Sequence, residues 1–456
     1  MQKSLLWSLL RTFKVAERRR AVRFLKSPYH NARPEAVLLF QELLRLDRQD
    51  KTPNRESIRT HLFPQRDATW FRLLQSHLYR RLEDFLIVES LREQPRRARL
   101  QLVEQFQRRK LSRHVERHLK RLPDAPYLQA ENYLGDFRRE QVRFAQLTSR
   151  NRSRVDLNLR DCEDTLDRAL VAMKLRQSCI TRSHETVSSS RHQIHFLPEI
   201  LDYAANRPEP EIQLYRACFL ALYQEPTDER FREYRSLLLR YGAQFPPAES
   251  RSLFVGALNF CIRKINENKS SYLREAFDLY RAGIDNETLF ESGQLSRFTF
   301  NNVVGIALRL NELTWTERFL DGYAQLLRDQ WRTPTLGLNR ARYHYARQQY
   351  DEALVHLREV DQRDLITNMT AKILQLKIYQ ETKQLDLLDA HLRTMQRFVE
   401  RNPQTAYHRV NWNNIIRFTR KVMSHNPYDE SERSNLRRDI EAAEPLTEKD
   451  WLLGLV

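Results

Sequence analysis

Apolar residues three and four positions apart recur along nearly the whole chain, and hardly any stretch alternates with period two. That periodicity gives each of a long series of helices one apolar face and leaves no strand pattern from which to build a sheet. Glycine usage imposes the same restriction from another side. Only 9 of 456 residues are Gly, against 17 Pro, where an average protein uses about 7% Gly. Tight hairpins and phosphate-cradling loops depend on glycine's backbone freedom. The expected class is therefore all-α, without turn-rich β architecture or a Gly-rich nucleotide site.

Local signals place the first helices. Pro34 stands where a first helical turn accepts proline, ahead of an apolar face of Val37, Leu38, Phe40, Leu43, Leu44 and Leu46. Asn54 is expected to cap a short helix that Pro64 stops, and Asp67 a long one with Phe71, Leu74, Leu78, Leu82, Phe85 and Leu86 on one side. Further helices are predicted over Pro95 to Lys110, Ser112 to Leu122 and Arg154 to Ser183, the last with Leu159, Cys162, Leu166, Leu170 and Met173 as its core stripe. Ser188 to Ser190 and the prolines at 198, 208 and 210 mark a boundary near residue 190. The expected organisation is thus a basic helical region over 1–150, a connecting helix over 151–190 and a helical array over 191–456. In that array, pairs are expected to start near Phe196, Asp228, Ser270, Thr314, Asp351 and Asp386. Single pairs cannot bury both faces, so neighbours must stack into a continuous, curved core.

The segment NRARYHYARQQYDEALVHLREV, Asn339 to Val360, resembles a tetratricopeptide repeat: Ala341 matches the small residue of the first helix, Tyr350 the aromatic before the second, and Ala353 the small residue where the two helices touch. A second unit follows with Leu388 in the place of Ala353, and an earlier one has Ala307 and Thr316 at the corresponding positions. FLKSPYHN, Phe24 to Asn31, and LNFCIRKIN, Leu258 to Asn266, are also similar to a group of long bacterial helical-repeat proteins, a resemblance that carries no activity with it. The tetratricopeptide resemblance implies a right-handed superhelical array of helical hairpins, a TPR-like α-solenoid whose first helices line a concave groove. Aligning on Ala353 puts Asn301, Asn302, Asn339, Arg342, Tyr345 and Lys377 on or near that lining. Amides, cations and an aromatic with few acids suit an extended or acidic peptide. WLLGLV, Trp451 to Val456, is expected to cap the last apolar face.

Charge points to a second candidate surface. Residues 1–150 hold 33 Lys and Arg against 17 Asp and Glu, while residues 151–456 hold 44 against 42. The predicted helix around 109–121 sets Arg109, Arg113, Arg117 and Arg121 four apart with Lys120 beside them, a row of guanidinium groups suited to phosphates. Arg18, Arg19, Arg20 and Arg23 form another basic run. The order short helix, turn, long helix over Asn54 to Ile87 invites comparison with a helix-turn-helix, in which Arg72, Gln75, Ser76 and Arg80 would face a groove; the long FPQR turn without glycine favours an N-terminal cap instead. Nucleic acid is accordingly the alternative partner, through residues 1–150.

Catalytic and metal signals are poor. HVERH, His114 to His118, lacks the glutamate of a zinc-protease helix, and Cys179, His184, His192 and His195 have no closed ligand spacing. No G-x-x-x-x-G-K-[ST], G-x-G-x-x-G or G-x-S-x-G occurs. Cys162, Cys179, Cys218 and Cys261 read as small apolar residues of a reducing compartment. The sequence-based expectation is a soluble, cytoplasmic, non-enzymatic interaction scaffold, without cofactor, metal, small-molecule substrate or membrane span, that binds a protein or peptide.

Overall fold

A computed structural model of the chain describes residues 4–150, 157–186, 188, 190–267, 269–360, 364–402, 406–426 and 428–456. These residues form 23 α-helices and one two-stranded ladder. Contacts divide the chain into two compact units, residues 1–177 with 196–206, and residues 178–195 with 207–456.

The first unit starts with α1 (Leu5–Thr12), α2 (Val15–Lys26), α3 (Pro34–Arg48), α4 (Arg55–Leu62) and α5 (Ala68–Glu93). Their boundaries follow from capping chemistry. The Asn54 side chain accepts from the amides of Glu56 and Ser57, and the Asp67 carboxylate accepts from the Trp70 amide. Leu10, Phe40, Leu43, Phe71, Leu74, Leu78 and Leu82, all without exposed surface, form their shared core. Gln75 is buried there too, so it cannot face a nucleic-acid groove. Within FLKSPYHN, Asn31 pins the chain by donating to the carbonyls of Leu25 and Arg33, 2.9 and 2.8 Å away.

α6 (Pro95–Arg108), α7 (Ser112–Leu119) and α8 (Glu131–Arg150) enclose a smaller core of Val103, Val115 and Val142. The predicted helix over 109–121 is not continuous. Arg109 caps the end of α6, Lys110 turns left-handed at φ 59°, and α7 ends before Lys120 and Arg121.

α9 (Leu159–Glu185) belongs to this unit as far as Gln177, and α10 (Leu197–Ala205) completes it. The expected beginning of α9 at Arg154, and Ser189 of the boundary cluster, lie outside the described residues. Its expected core stripe is corrected: α9 buries Thr165, Ala169, Val171, Ala172 and Leu175, while Leu159, Leu166 and Leu170 face outward, 41–54% exposed. The inner side mixes small residues with Val171 and Leu175, and periodicity alone cannot tell that face from an outward apolar one.

The second unit holds α11 (Pro210–Phe219), α12 (Asp228–Tyr241), α13 (Pro247–Asn266), α14 (Tyr272–Asp285), the ladder β1 (Phe290–Glu291) and β2 (Gln294–Leu295), then α15 (Arg297–Arg309), α16 (Leu313–Tyr323), α17 (Asp329–Ala346), α18 (Tyr350–Leu357), α19 (Leu365–Glu381), α20 (Leu385–Arg401), α21 (Ala406–Ser424), α22 (Glu430–Ala442) and α23 (Lys449–Leu453). The antiparallel ladder pairs Phe290 with Leu295 and Glu291 with Gln294. Consecutive helices pair from α11 onward, and α17 also packs against both α15 and α19. The pairs therefore begin at Pro210, Pro247, Arg297, Asp329, Leu365 and Ala406. The starts expected at Asp228, Ser270, Thr314, Asp351 and Asp386 instead mark second helices, each packed on the helix before it.

Three of those turns share one geometry without glycine. Asn311, Gln348 and Lys383 each sit left-handed at φ 56–59°. The residue after each donates to the carbonyl five positions back: Glu312 to Ala307, Gln349 to His344 and Gln384 to Tyr379, all at 2.9 Å. At the helix contacts that follow, Thr316, Ala353 and Leu388 have no exposed surface. Gly337 serves a close approach: a Cβ there would lie 2.9 Å from the Glu359 Cβ and 3.0 Å from the His356 carbonyl.

Candidate partner-binding face

α15, α17 and α19 stand side by side in the second unit, and turns of 3.6 residues carry one row of side chains along each. On α17 the row runs through Trp331, Leu338, Arg342 and Tyr345. α19 contributes Asp364, Thr367 and Lys377, and α15 contributes Arg297 and Asn301.

The six expected groove residues divide into distinct roles. Asn339 is corrected: it has no exposed surface and acts as a bridge, donating to Asn301 Oδ1 at 2.6 Å and to the Thr335 carbonyl at 2.8 Å. The pattern put an amide on the correct helix but could not say that this one faces its neighbour. Asn301 is half-buried as the acceptor of that bridge, while Asn302 is exposed and donates to the Tyr280 hydroxyl at 3.3 Å. Arg342, Tyr345 and Lys377 lie toward the other end of the face.

Arg342 is the unusual member. Enough protein surrounds its guanidinium to strip hydration and lower its pKa, and only Glu448 acts in the opposite direction. Part of the side chain still meets solvent. No described carboxylate pairs with it. Lys377, by contrast, holds Glu448 at 3.0 Å, and its ammonium lies 5.2 Å from the Tyr345 ring centroid and 5.5 Å from that of Trp451. The Tyr345 hydroxyl donates to Glu381, as do the Tyr350 hydroxyl at 2.7 Å and the Trp451 indole N–H at 3.2 Å. Burial and that carboxylate raise the Tyr345 phenol, and the carboxylate above all pushes Tyr350 up to about 12. Both phenols are therefore neutral donors at neutral pH.

This cluster joins α17, α18, α19 and the C-terminal segment, where Leu452 is fully buried among Ile415, Ile416 and Ile440. Glu381 and Glu448 are absent from the sequence-based set. Their contacts span 36 and 71 positions, and no local spacing announces them.

The face has a second polar centre. Arg297 places its guanidinium 4.0 Å from the Trp331 ring centroid and 2.6 Å from an Asp364 oxygen. Beside it a cleft of about 200 Å³ is lined by Leu295, Phe298, Leu327, Arg328 and Trp331, with Phe298 strongly exposed.

No protein-family model, curated protein or solved structure matches the chain.

In the first unit, Arg109, Lys110, Arg113, Arg117, Lys120 and Arg121 are all exposed around the α6–α7 turn, and no described carboxylate pairs with any of them. They form a basic tip in place of the expected row along one helix. Other arginines of this unit are neutralised: Arg18 meets Asp47 at 2.7 Å, Arg20 pairs with Glu89, and Arg96 meets Asp136 at 2.5 Å. Desolvation, and then the nearby cations Arg99 and Arg117, hold the His118 imidazole below its ordinary pKa. His114 and His118 each pack 5.2 Å from the Phe106 ring. Among the described residues, no group of three or more His, Cys, Asp or Glu is arranged to hold a metal, and no helix is long and apolar enough to cross a membrane.

Proposed function

We propose that the second unit is a right-handed superhelical, TPR-like array and that the protein is a non-catalytic scaffold whose concave face, formed by α15, α17 and α19, binds an acidic peptide or protein segment. The observation that carries this reading is Arg342, a partly desolvated cation on that face without a carboxylate partner among the described residues. A guanidinium in that position gains more from a bidentate carboxylate than one already in water. The chain's own C-terminal segment provides an internal example of the chemistry, with Glu448 on Lys377 and the Trp451 ring beside them. The recurrent left-handed turn at Asn311, Gln348 and Lys383 supports the repeat assignment. Asn302, Arg342 and Tyr345 are the residues offered to the partner, with Lys377 shared between partner and C-terminal segment.

A second reading has its own observation, the unpaired basic tip around α7. It fits phosphate contacts, with the first unit binding nucleic acid while the array recruits protein.

Purification of tagged full-length protein from its native host, with and without nuclease, tests both readings. The scaffold reading expects a protein partner that survives nuclease and is lost on Arg342→Gln. Recovery dominated by nucleic acid, with proteins lost on nuclease treatment and binding abolished by Arg113→Gln, Arg117→Gln and Arg121→Gln together, overturns it in favour of the second. The basic tip would also give log affinity falling steeply with log salt.

A further inference from the structure

The cleft beside Arg297 is built to take one side chain. Buried Leu295 and Leu327 line its deepest part, half-buried Trp331 forms a wall, and strongly exposed Phe298 stands at the rim. Local structure fixes these positions. The ladder pairs Leu295 with Phe290, and the Ser296 hydroxyl accepts from the Thr299 amide at 3.0 Å, so that α15 starts directly after β2. The Arg297 guanidinium lies 4.0 Å from the Trp331 ring centroid and 4.8 Å from that of Phe298, while Asp364 holds it at 2.6 Å.

Size decides the class of occupant. At about 200 Å³ the cleft falls below the roughly 300–1,000 Å³ of cofactor and small-molecule pockets. It exceeds the cavity of about 150 Å³ that encloses a benzene ring. One aromatic or large aliphatic side chain therefore fits. Charge at the mouth selects the chain that brings it. Glu291 is taken by Arg251 at 3.3 Å, and Asp364 by Arg297. Arg328 is exposed and no described carboxylate pairs with it, its neighbour Asp329 meeting Arg332 at 2.7 Å instead. The unmatched charge is thus positive, as it is at Arg342.

Position ties the cleft to the proposed partner face. Trp331 opens the α17 row that continues through Leu338 to Arg342, a separation of about 16 Å along the helix axis. An extended segment advancing about 3.3 Å per residue covers that distance in about five residues.

We infer that the cleft is an anchor subsite, taking an aromatic or large aliphatic side chain of the bound segment about five residues from the carboxylate that meets Arg342. This rests on the reading of the α15, α17 and α19 face as a peptide site, and it adds a second determinant: an acidic, extended segment with one apolar anchor at a set distance.

Selection of phage-displayed random peptides on the immobilised full chain tests it, a length of about twelve residues being enough to reach both positions. The enriched peptides should carry Asp or Glu together with Phe, Tyr, Trp or Leu about four to six positions away. In fluorescence anisotropy with one labelled enriched peptide, replacing its anchor by Ala should weaken binding to the parent at least about tenfold, the loss of burying one large apolar side chain. For the variant Trp331→Ala with Phe298→Ala, the same replacement should cost less than about threefold. Phe298→Ala alone, at an exposed position, should keep the parent's thermal midpoint and show the same change in part. Enriched peptides that are acidic and lost on Arg342→Gln, yet have no apolar residue at a set distance, overturn the inference and leave the partner face standing. An anchor whose replacement costs the double variant as much as the parent also overturns it. Failure of the face reading has a different signature, peptides without acids that bind Arg342→Gln as well as the parent, and the spacing to Arg342 then falls with it.

Discussion

Gln348→Gly and Lys383→Gly should stabilise the second unit, although glycine is ordinarily a poor choice beside a helix. Both residues are exposed and left-handed, at φ 59° and 56°, and neither side chain has a hydrogen-bonding partner among the described residues. A residue with a Cβ pays about 1–2 kcal/mol to adopt that conformation. Glycine removes this cost but brings about 0.5–1 kcal/mol of additional unfolded-state entropy. The balance is a gain of about 0.5–1 kcal/mol at each site, and the two sites lie in different hairpins, so the gains should add. Asn311→Gly should gain least, since asparagine tolerates this region best. The assay is equilibrium urea unfolding followed by far-ultraviolet circular dichroism, comparing midpoints at unchanged slope. Gln348→Val supplies the opposite sign, because a β-branched residue fits this region poorly. A midpoint that falls with Gln348→Gly, or rises with Gln348→Val, would refute the turn geometry and with it the three-fold recurrence on which the repeat assignment leans.

Two further outcomes follow from buried positions. Ala353→Arg should destabilise the second unit by about 3–5 kcal/mol, because Ala353 has no exposed surface among Ala341, Leu374 and Ile378 and a long cation there has neither space nor counter-charge; an unchanged thermal midpoint would remove Ala353 from the helix contact. Acidification should also weaken this unit through His391, whose imidazole burial holds below its ordinary 6.5 while Nε2 meets the Lys372 carbonyl at 2.8 Å. The unfolded chain then binds the proton more readily, so the stabilisation is complete above about pH 6.5 and is lost as pH falls from there toward the folded value. His391→Gln should flatten the midpoint difference between about pH 7.5 and 5.5; an unaltered difference would place the proton elsewhere.

The caps at Asn54 and Asp67 and the burial of Ala341, Ala353 and Leu388 were legible in the sequence because each depends on neighbours within a few positions or on a 3.6-residue period. The pair register was less so. Helix starts such as Asp228 and Asp386 look alike whether they open a pair or close one, and the difference lies in which helix packs on which. At the candidate face, alignment on Ala353 through the tetratricopeptide resemblance puts Arg342, Tyr345 and Lys377 on the groove lining, yet the same alignment counts Asn339, whose amide is consumed by Asn301 and Thr335. Glu381, Glu448 and Trp451 join the cluster from distant positions. The basic row at 109–121 failed at left-handed Lys110, the boundary between the helices expected over Pro95 to Lys110 and Ser112 to Leu122, which a row drawn across both of them ignored.

By itself, the sequence determined an all-helical chain and the places where many helices begin, since propensity, capping and periodicity act within a few residues. Only the tertiary structure decided which apolar face is inside. On α9 it buried Thr165, Ala169, Val171, Ala172 and Leu175 and turned Leu159, Leu166 and Leu170 outward. Burial free energy depends on what lies opposite, which the period of the apolar residues does not specify. Pairing of charges was settled in the same way, leaving Arg342 and the α7 tip without carboxylates among the described residues while Arg18 and Lys377 found theirs.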